Sequence, residues 1–559
     1  MIHGASASSS IGWSEPGRTT LEIETGSWRT RRPLYVEACA PCSAACPAGE
    51  PIARWIEQAR TGNYAAAWTL IREENPFPGV MGRVCAHPCE SRCNRVALDG
   101  AVAINALERA VGEWGLRHGT VTIPLTRRDE RVAVVGSGPA GLACAYHLAR
   151  VGYRVTIFEA AAEPGGLLRH GIPAYRLPRA VLDREIEMIL ALGITLRTGH
   201  RFDAGSWDAL ADWDAVFIAT GAAVPLTLGV PGASVRGVRD GLAMLRAVNG
   251  GERPALGTRA VVVGGGSTAM DVARTARRLG VNAVTVVALE TREAMPADAD
   301  ELAQALEEGI EIRSTTGVRA FRERDGVLTG VVVAPARLER GPDGAITAVF
   351  DGGPDEVIAT DSAVLAIGQR PDFTALRAGL DVVSDVVGVS PSGATSIRRV
   401  YAGGDVASRQ RTVAHAIGAG TRAARAIDAA ITGAASAGTP AGHPWVVPRA
   451  EHLVTPTEVG FHAFAPSRRA ERARRPATTR VSSFDEVVGP LDEDDVRSQT
   501  ERCFTCGRCV GCDTCMAVCP DMAITRVAGA YHVASSHCKG CGLCAHECPR
   551  GALHMVSER

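Results

Sequence analysis

The chain has 559 residues, 46% hydrophobic and 22% charged, which excludes a wholly disordered polymer and, at roughly 150 residues per domain, a single core. Lys plus Arg number 60 against 61 for Asp plus Glu, a net charge of −1, so no global field directs it to nucleic acid or an anionic membrane surface. No stretch approaches the ~18 apolar residues of a membrane helix, and the first residues lack the basic and apolar segments of a leader, so a cytoplasmic protein without membrane insertion is expected.

Residues 1–34, rich in Ser, Gly and Thr, read as a flexible tail. Over 35–125 apolar residues recur three and four apart, predicting a small helical domain that carries Cys39, Cys42, Cys46, Cys85, Cys89 and Cys93. Thiols two or three residues apart in a long chain favour metal thiolates over disulfides. They suit one or two iron–sulfur clusters, and on spacing alone zinc as well, but six thiols cannot complete two four-thiolate sites.

At residue 131 the texture changes to RVAVVGSGPAGLACAYHLARVGYRVTIFE: strand, glycine turn, helix, strand. Gly136, Gly138 and Gly141 leave a helix N-terminus open to a dinucleotide pyrophosphate, and Glu159 ends the next strand where an acid bonds ribose hydroxyls. A second strand–turn–helix–strand unit appears at 259–290, so two nucleotides are expected. The second turn is Gly264, Gly265, Gly266, Ser267, Thr268, Ala269. Its next strand ends at Glu290 and Arg292. An acid there repels a 2′-phosphate, which favours NADH over NADPH, while Arg292, Arg277 and Arg278 stand as alternative phosphate ligands.

Residues 433–498 read as a linker and crossing segment, Gly/Ala/Pro-rich over 431–449 and basic over 465–480. In 499–559 the runs Cys509-x2-Cys512-x2-Cys515-x3-Cys519-Pro520 and Cys538-x2-Cys541-x2-Cys544-x3-Cys548-Pro549 repeat the bacterial two-cluster ferredoxin pattern. Because the fourth cysteine of each run ligates the other cluster, one [4Fe–4S] takes Cys509, Cys512, Cys515 and Cys548, the other Cys538, Cys541, Cys544 and Cys519. Cys503 and Cys506 remain: they finish the deficient N-terminal site, bind a metal alone, or merely precede the module. Cys144, on the helix after the first turn, reads as a small core residue.

The segments GSGPAGLACA, EPGGLLRHGIPAYRLP, FIATGA, GGGSTAMDVART, EAMPA, AIGQRPD and YAGGDVA carry a specific resemblance. Residues 35–430 resemble the flavin-containing small subunit of glutamate synthase and the electron-entry region of dihydropyrimidine dehydrogenase. The resemblance implies FAD on the first unit, held also by Pro139, Ala140, Gly166, Leu167, Thr220, Gly221, Gly404 and Asp405, with the helix from Thr412 through Ala416 to Gly420 aimed at the ring. It implies a nicotinamide nucleotide on the second unit, 256–360, inserted in the FAD-binding domain of 130–255 and 361–432. It further implies one N-terminal cluster on Cys46, Cys85, Cys89 and Glu108, and another on Cys39, Cys42 and Cys93 without a fourth protein ligand. Read from composition, Glu108 equally suits an exposed helix face. Where relatives have an aromatic residue followed by an Arg pair, this chain has Ala288, Leu289 and Glu290, the departure that favours NADH.

The fold class expected is therefore multidomain: an α-helical iron–sulfur domain, two Rossmann-like α/β domains with one inserted in the other, and a C-terminal α+β ferredoxin-like domain. A hydride carries two electrons and a cubane accepts one, so a flavin must stand between them. The function expected is an NAD(P)H-dependent flavin and iron–sulfur oxidoreductase serving ferredoxin or a catalytic redox subunit, with an oligomer allowed for. The alternatives are a glutamate synthase small subunit supplying a separate large subunit, and a non-catalytic electron relay docking through 465–480. Arg169, His170 and Glu301 are weak candidates near the flavin, and no catalytic acid or base is assigned.

Overall fold

The computed structural model describes residues 24–558 except 125, 204, 208–211, 342–345, 375, 377–378 and 434–451. The expected Gly/Ala/Pro linker lies almost wholly outside the described residues.

The N-terminal domain is helical, built on Ile52–Arg60, Tyr64–Arg72, Pro78–Val84 and Ile104–His118. Ile52, Trp55, Ile56 and Ala59 recur on one face of the first helix and are all buried, the periodicity that makes it fold onto its neighbours. Asn63 caps the second, accepting from the Ala66 amide at 3.1 Å. The last two helices close on glycine: a β-carbon on Gly112 would stand 2.5 Å from the Gly79 nitrogen.

Two parallel five-stranded sheets follow. The first runs Val400–Ala402, Ala215–Ile218, Arg131–Val135, Arg154–Phe158, Thr195–Arg197. The second runs Glu311–Arg313, Ala283–Val287, Arg259–Val263, Ser362–Leu365, Val238–Asp240. Val238–Asp240 and Ser362–Leu365 thus extend the inserted unit past the 256–360 read from sequence. Short apolar strands fit either sheet, and pairing with Arg259–Val263 decides their place. An antiparallel layer, Thr316–Arg324, Val327–Arg340 and Ile346–Phe350 with Glu356–Ala359, covers one side. The helix Val413–Thr432 returns to pack on Pro139–Arg150, close enough that a β-carbon on Gly420 would lie 2.2 Å from the Ala140 carbonyl oxygen.

The chain then crosses back. The arginines expected to form a docking surface bond within the molecule: Arg469 to Glu90 at 2.6 Å, Arg472 to the Gly82 carbonyl at 3.0 Å, Arg474 to Asp300 at 3.1 Å and Arg480 to Glu307. They strap the helical domain to the inserted unit. The final module has short helices Thr514–Ala517 and Leu543–His546, the hairpin Ile524–Val527/Ala530–Val533, and Leu553–Ser557. That last strand pairs antiparallel with Arg31–Tyr35, so residues 31–34, assigned by composition to the tail, are ordered by a partner from the other end of the sequence.

Candidate functional site

One cavity of about 780 Å3 lies between the two α/β units and reaches the helical domain. Its first wall is the turn at 136–141. Gly136 has φ 107° and a β-carbon there would stand 2.4 Å from the Ala219 carbonyl oxygen, while one on Gly141 would stand 1.9 Å from the Gly136 oxygen. Gly138 differs: its φ is −70° and a β-carbon would meet no protein atom within 4 Å. The space above it is bounded by Pro139, Ala140, Gly166, Leu167, Thr220, Gly221, Gly404 and Asp405. Glu159, also on the wall, accepts from the Ser137 and Ala161 amides at 2.9 and 2.8 Å. Thr412 accepts from the His415 amide at 3.3 Å and opens Val413–Thr432 towards the cavity. Burial pushes the Asp405 carboxyl up to about 6, against the opposing pull of Arg411. Thr220 Oγ1 and His170 Nε2 are buried in this wall without hydrogen-bond partners. A concave, mainly apolar space with a few orphaned polar atoms suits a dinucleotide.

The opposite wall is the second turn. Ser267 and Thr268 line the cavity, and Ala269 is fully buried behind them. Gly264, φ 135°, would place a β-carbon 2.3 Å from the Ala366 oxygen, whereas Gly266 meets nothing nearer than Pro296 at 4.0 Å. The Glu290 carboxylate lies beside this turn, 2.6 Å from where a Gly265 β-carbon would stand. Arg292 Nη2 donates to the Ile312 carbonyl at 3.2 Å. Arg277 and Arg278 are no phosphate ligands here. They end the helix Ser267–Arg278 remote from its glycine turn, Arg277 donating to the Val281 and Asn282 carbonyls and Arg278 held, fully buried, by Glu308 at 2.6 Å.

Sequence reasoning missed the pair that joins the two walls. Arg176, from the first unit, bonds Asp271 of the second unit at 2.6 Å and also Glu301. Asp271 Oδ1 and Glu301 Oε2 are buried without partners. No spacing in the sequence marks them, since they lie 95 residues apart. Arg169 is structural, bonding Asp183 and the Pro164 carbonyl. His170 lines the cavity, its ring pushed down by burial and by Arg246.

Cys85, with Ala86 and His87, forms the third side of the same cavity. Its Sγ accepts from the His87 amide at 3.3 Å. Around it stand Cys46, Cys89, Glu50 and Glu108. Burial, then Glu50, pushes the Cys46 thiol up to about 12; burial, then Glu108, raises the Cys85 thiol well above its usual range. Glu108 is buried, not on the exposed face that composition allowed, and shares Asn75 Nδ2 with Glu50 at 3.0 and 2.8 Å. Burial keeps these thiols and carboxyls protonated until the positive charge of a bound metal displaces their protons.

In the C-terminal module Cys519, Cys538, Cys541 and Cys544 line one small cavity. Cys515, Cys544 and Cys548 pack in a common core, and Cys509 and Cys512 lie close enough to Cys515 to act on its charge. Tyr35 Oη lies 3.1 Å from Cys515 Sγ and its ring stacks on Tyr531 at 5.7 Å. A third group forms elsewhere: Cys42, Cys93, Cys503 and Cys506 line another small cavity, and Cys39 is absent from its wall. Among the described residues no three thiols gather their Sγ atoms within 4.8 Å, and tetrahedral zinc, with Zn–S near 2.3 Å, needs them about 3.8 Å apart. Cages that spread their thiolates wider suit all these groups better. Cys144 is fully buried in the core beside the first turn, as expected.

Residues 130–420 match the model of the pyridine nucleotide-disulphide oxidoreductases, 28–120 that of the dihydropyrimidine dehydrogenase domain II 4Fe-4S cluster, and 508–553 that of the 4Fe-4S dicluster domain. The chain belongs to the pyridine nucleotide-disulphide oxidoreductase family. It is an electron-transfer oxidoreductase of the flavin and iron–sulfur kind. It is 36% identical over 501 residues to the NADP(+)-dependent formate dehydrogenase subunit beta of Moorella thermoacetica, covering 84% of this chain and 71% of that one. It is 34% identical over 423 residues to the NADPH-Fe(3+) oxidoreductase subunit beta of Geobacter sulfurreducens, 69% of this chain and 63% of that one. With the small chain of the Escherichia coli NADPH glutamate synthase it shares 34% over 416 residues, 69% of this chain and 87% of that one. Among the described residues no helix is long and apolar enough to cross a membrane.

Proposed function

We propose that the protein moves electrons between a nicotinamide nucleotide, NADH in preference to NADPH, and ferredoxin or a catalytic redox subunit, with FAD and [4Fe–4S] clusters as its cofactors. One observation carries this reading: a single cavity is bounded by the first glycine turn, by the second, and by Cys85 of a thiol group. FAD, when bound there, would supply the conversion between the two electrons of one hydride and single electrons passed one at a time.

The chain's own residues supply position and field. Gly138 leaves a side-chain-free approach to the N-terminus of Pro139–Arg150, whose amides receive a pyrophosphate. Glu159 ends the next strand with a carboxylate able to accept from ribose hydroxyls, and Asp405 and Thr220 offer polar atoms deeper in. On the facing wall Gly264, Gly266, Ser267 and Thr268 form the second phosphate seat. Glu290 beside it accepts from a 2′-hydroxyl and repels a 2′-phosphate. Arg176, locked to both Asp271 and Glu301, fixes the spacing between the walls. Cys46, Cys85, Cys89 and Glu108 hold one cluster against the cavity. Cys509, Cys512, Cys515 and Cys548 hold a second, and Cys538, Cys541, Cys544 and Cys519 a third.

The decisive experiment is anaerobic purification followed by iron, sulfide and flavin analysis, then titration with NADH and NADPH separately. NADH should bleach the flavin and then the cluster absorbance. A colourless protein, or one holding zinc in place of iron, overturns the reading.

A further inference from the structure

Resting on that reading and going beyond it, we propose that Cys42, Cys93, Cys503 and Cys506 form a fourth [4Fe–4S] site, assembled from both ends of the chain.

All four thiols line one small cavity whose other walls include Ala53, Ile56, Val102, Ile104 and Phe504. Cys42, Cys503 and Cys506 are buried, at 8%, 9% and 9% exposure. Each pair is near enough to interact electrically: Cys42 feels Cys93, Cys503 and Cys506, Cys506 feels Cys503 and Cys93, and Cys503 feels Cys93. Four thiols facing one another in an apolar pocket form a site only if something between them takes up their negative charge. Their separation exceeds what one tetrahedral ion tolerates, because no three of them gather within 4.8 Å.

The surroundings are prepared for a charged cage. The Thr505 amide donates to Cys503 Sγ at 3.4 Å and Asn94 Nδ2 to Cys506 Sγ at 3.5 Å. N–H donors aimed at ligand sulfurs are the protein's means of stabilising a cluster and setting its potential. Arg550 Nη1 binds the Cys503 carbonyl at 3.1 Å, and Arg502, beside the pair, binds Asp99 at 3.1 Å. The Cys503–Cys506 loop turns through Thr505 at φ 50°, a left-handed conformation costly for a Thr. It is held there by Phe504, whose ring packs on Phe461 and Phe464 at 5.4 and 4.4 Å. The pair is therefore not a preface to the ferredoxin module. It is a two-ligand clip delivered to the helical domain.

This assignment replaces Cys39. Its amide donates to the His452 carbonyl at 2.8 Å and its carbonyl accepts from Val454, a backbone role that leaves it outside the thiol cavity. The incomplete three-cysteine site expected from the N-terminal segment alone becomes a complete four-thiolate one.

The test is iron and sulfide per FAD in the anaerobically prepared full chain and in two variants. Four cubanes require about 16 irons and as many sulfides. Cys503→Ser/Cys506→Ser should fall to about 12 with FAD retained, and Cys39→Ser should stay at about 16. The proposal is overturned if the double variant keeps its iron, if Cys39→Ser loses about four, or if the wild type holds about 12 irons with flavin present, with or without one zinc. Should the double variant fail to fold, the wild-type count and Cys39→Ser still decide. A wild type with neither flavin nor iron sinks the broader reading; one with flavin and about 12 irons sinks this site alone.

Discussion

Gly138→Ala separates folding from cofactor binding at one methyl group. Alanine adopts the φ of −70° and ψ of 178° found there, and its β-carbon would touch no protein atom within 4 Å. Two small effects on stability oppose each other. Restricting the unfolded chain gains about 0.4–1 kcal/mol, and alanine is a poorer helix cap than glycine by a similar amount. Thermal unfolding of the flavin-free protein should therefore move by less than the equivalent of about 1 kcal/mol. The methyl nonetheless enters the space where a pyrophosphate must lie against the helix amides. Losing one charged hydrogen bond, worth about 1.5–3 kcal/mol, weakens FAD roughly 10- to 100-fold. Gly141→Ala provides the contrast. Its methyl would stand 1.9 Å from the Gly136 oxygen, so the helix must retreat by about 1 Å at a cost of about 1–3 kcal/mol, and stability and flavin should fall together. The assay is FAD titration by fluorescence quenching alongside a melting curve. Gly138→Ala binding FAD within about threefold of wild type would refute the placement of the pyrophosphate.

Replacing Glu290 by Gln removes a half-buried negative charge beside the second turn; the KM for NADPH should fall about five- to tenfold relative to that for NADH, a change of about 1 kcal/mol, and an unchanged ratio refutes the role. Tyr35→Phe deletes the hydroxyl 3.1 Å from Cys515 Sγ and should lower the potential of that cluster by about 20–60 mV, the electrical equivalent of one hydrogen bond, read by EPR-monitored redox titration. Glu185 is buried and accepts from the Gly79 and Val80 amides at 2.6 and 3.0 Å. Burial lifts its carboxyl from 4.5 to about 7. Because the folded pKa is the higher one, its contribution is fully present below about 4.5 and is lost as pH rises to about 7. Wild type should lose up to about 3 kcal/mol across that window that Glu185→Gln does not, and parallel melting curves between pH 5 and 7.5 would disprove it.

What could be read from the sequence was what is local. The glycine turns at 136–141 and 264–269 declare themselves because strand, turn and helix are contiguous, and the C-terminal cysteine runs because their ligands sit two and three residues apart. What could not be read was partnership across distance. Asn94 and Cys506 meet across 412 residues, and nothing in the spacing of either neighbourhood announces the other. The basic stretch at 465–480 read as a docking surface for the same reason: a run of arginines displays its charge in the sequence but not the buried Glu90 or the helix end at Glu307 that neutralises it. Arg277 and Arg278 were attractive as phosphate ligands because they adjoin the second turn in sequence. Helix geometry puts them at the far end, where Glu308 holds Arg278.

The pairing of Arg31–Tyr35 with Leu553–Ser557 also bears on how the molecule is born. A ribosome adding about 5–20 residues each second releases the first strand roughly half a minute to two minutes before its mate exists. Arg31–Tyr35 must wait unpaired, and Cys42 and Cys93 must wait for Cys503 and Cys506, while two nucleotide-binding units fold between. Maturation is thus expected to run from the middle outwards, with the two ends joined last.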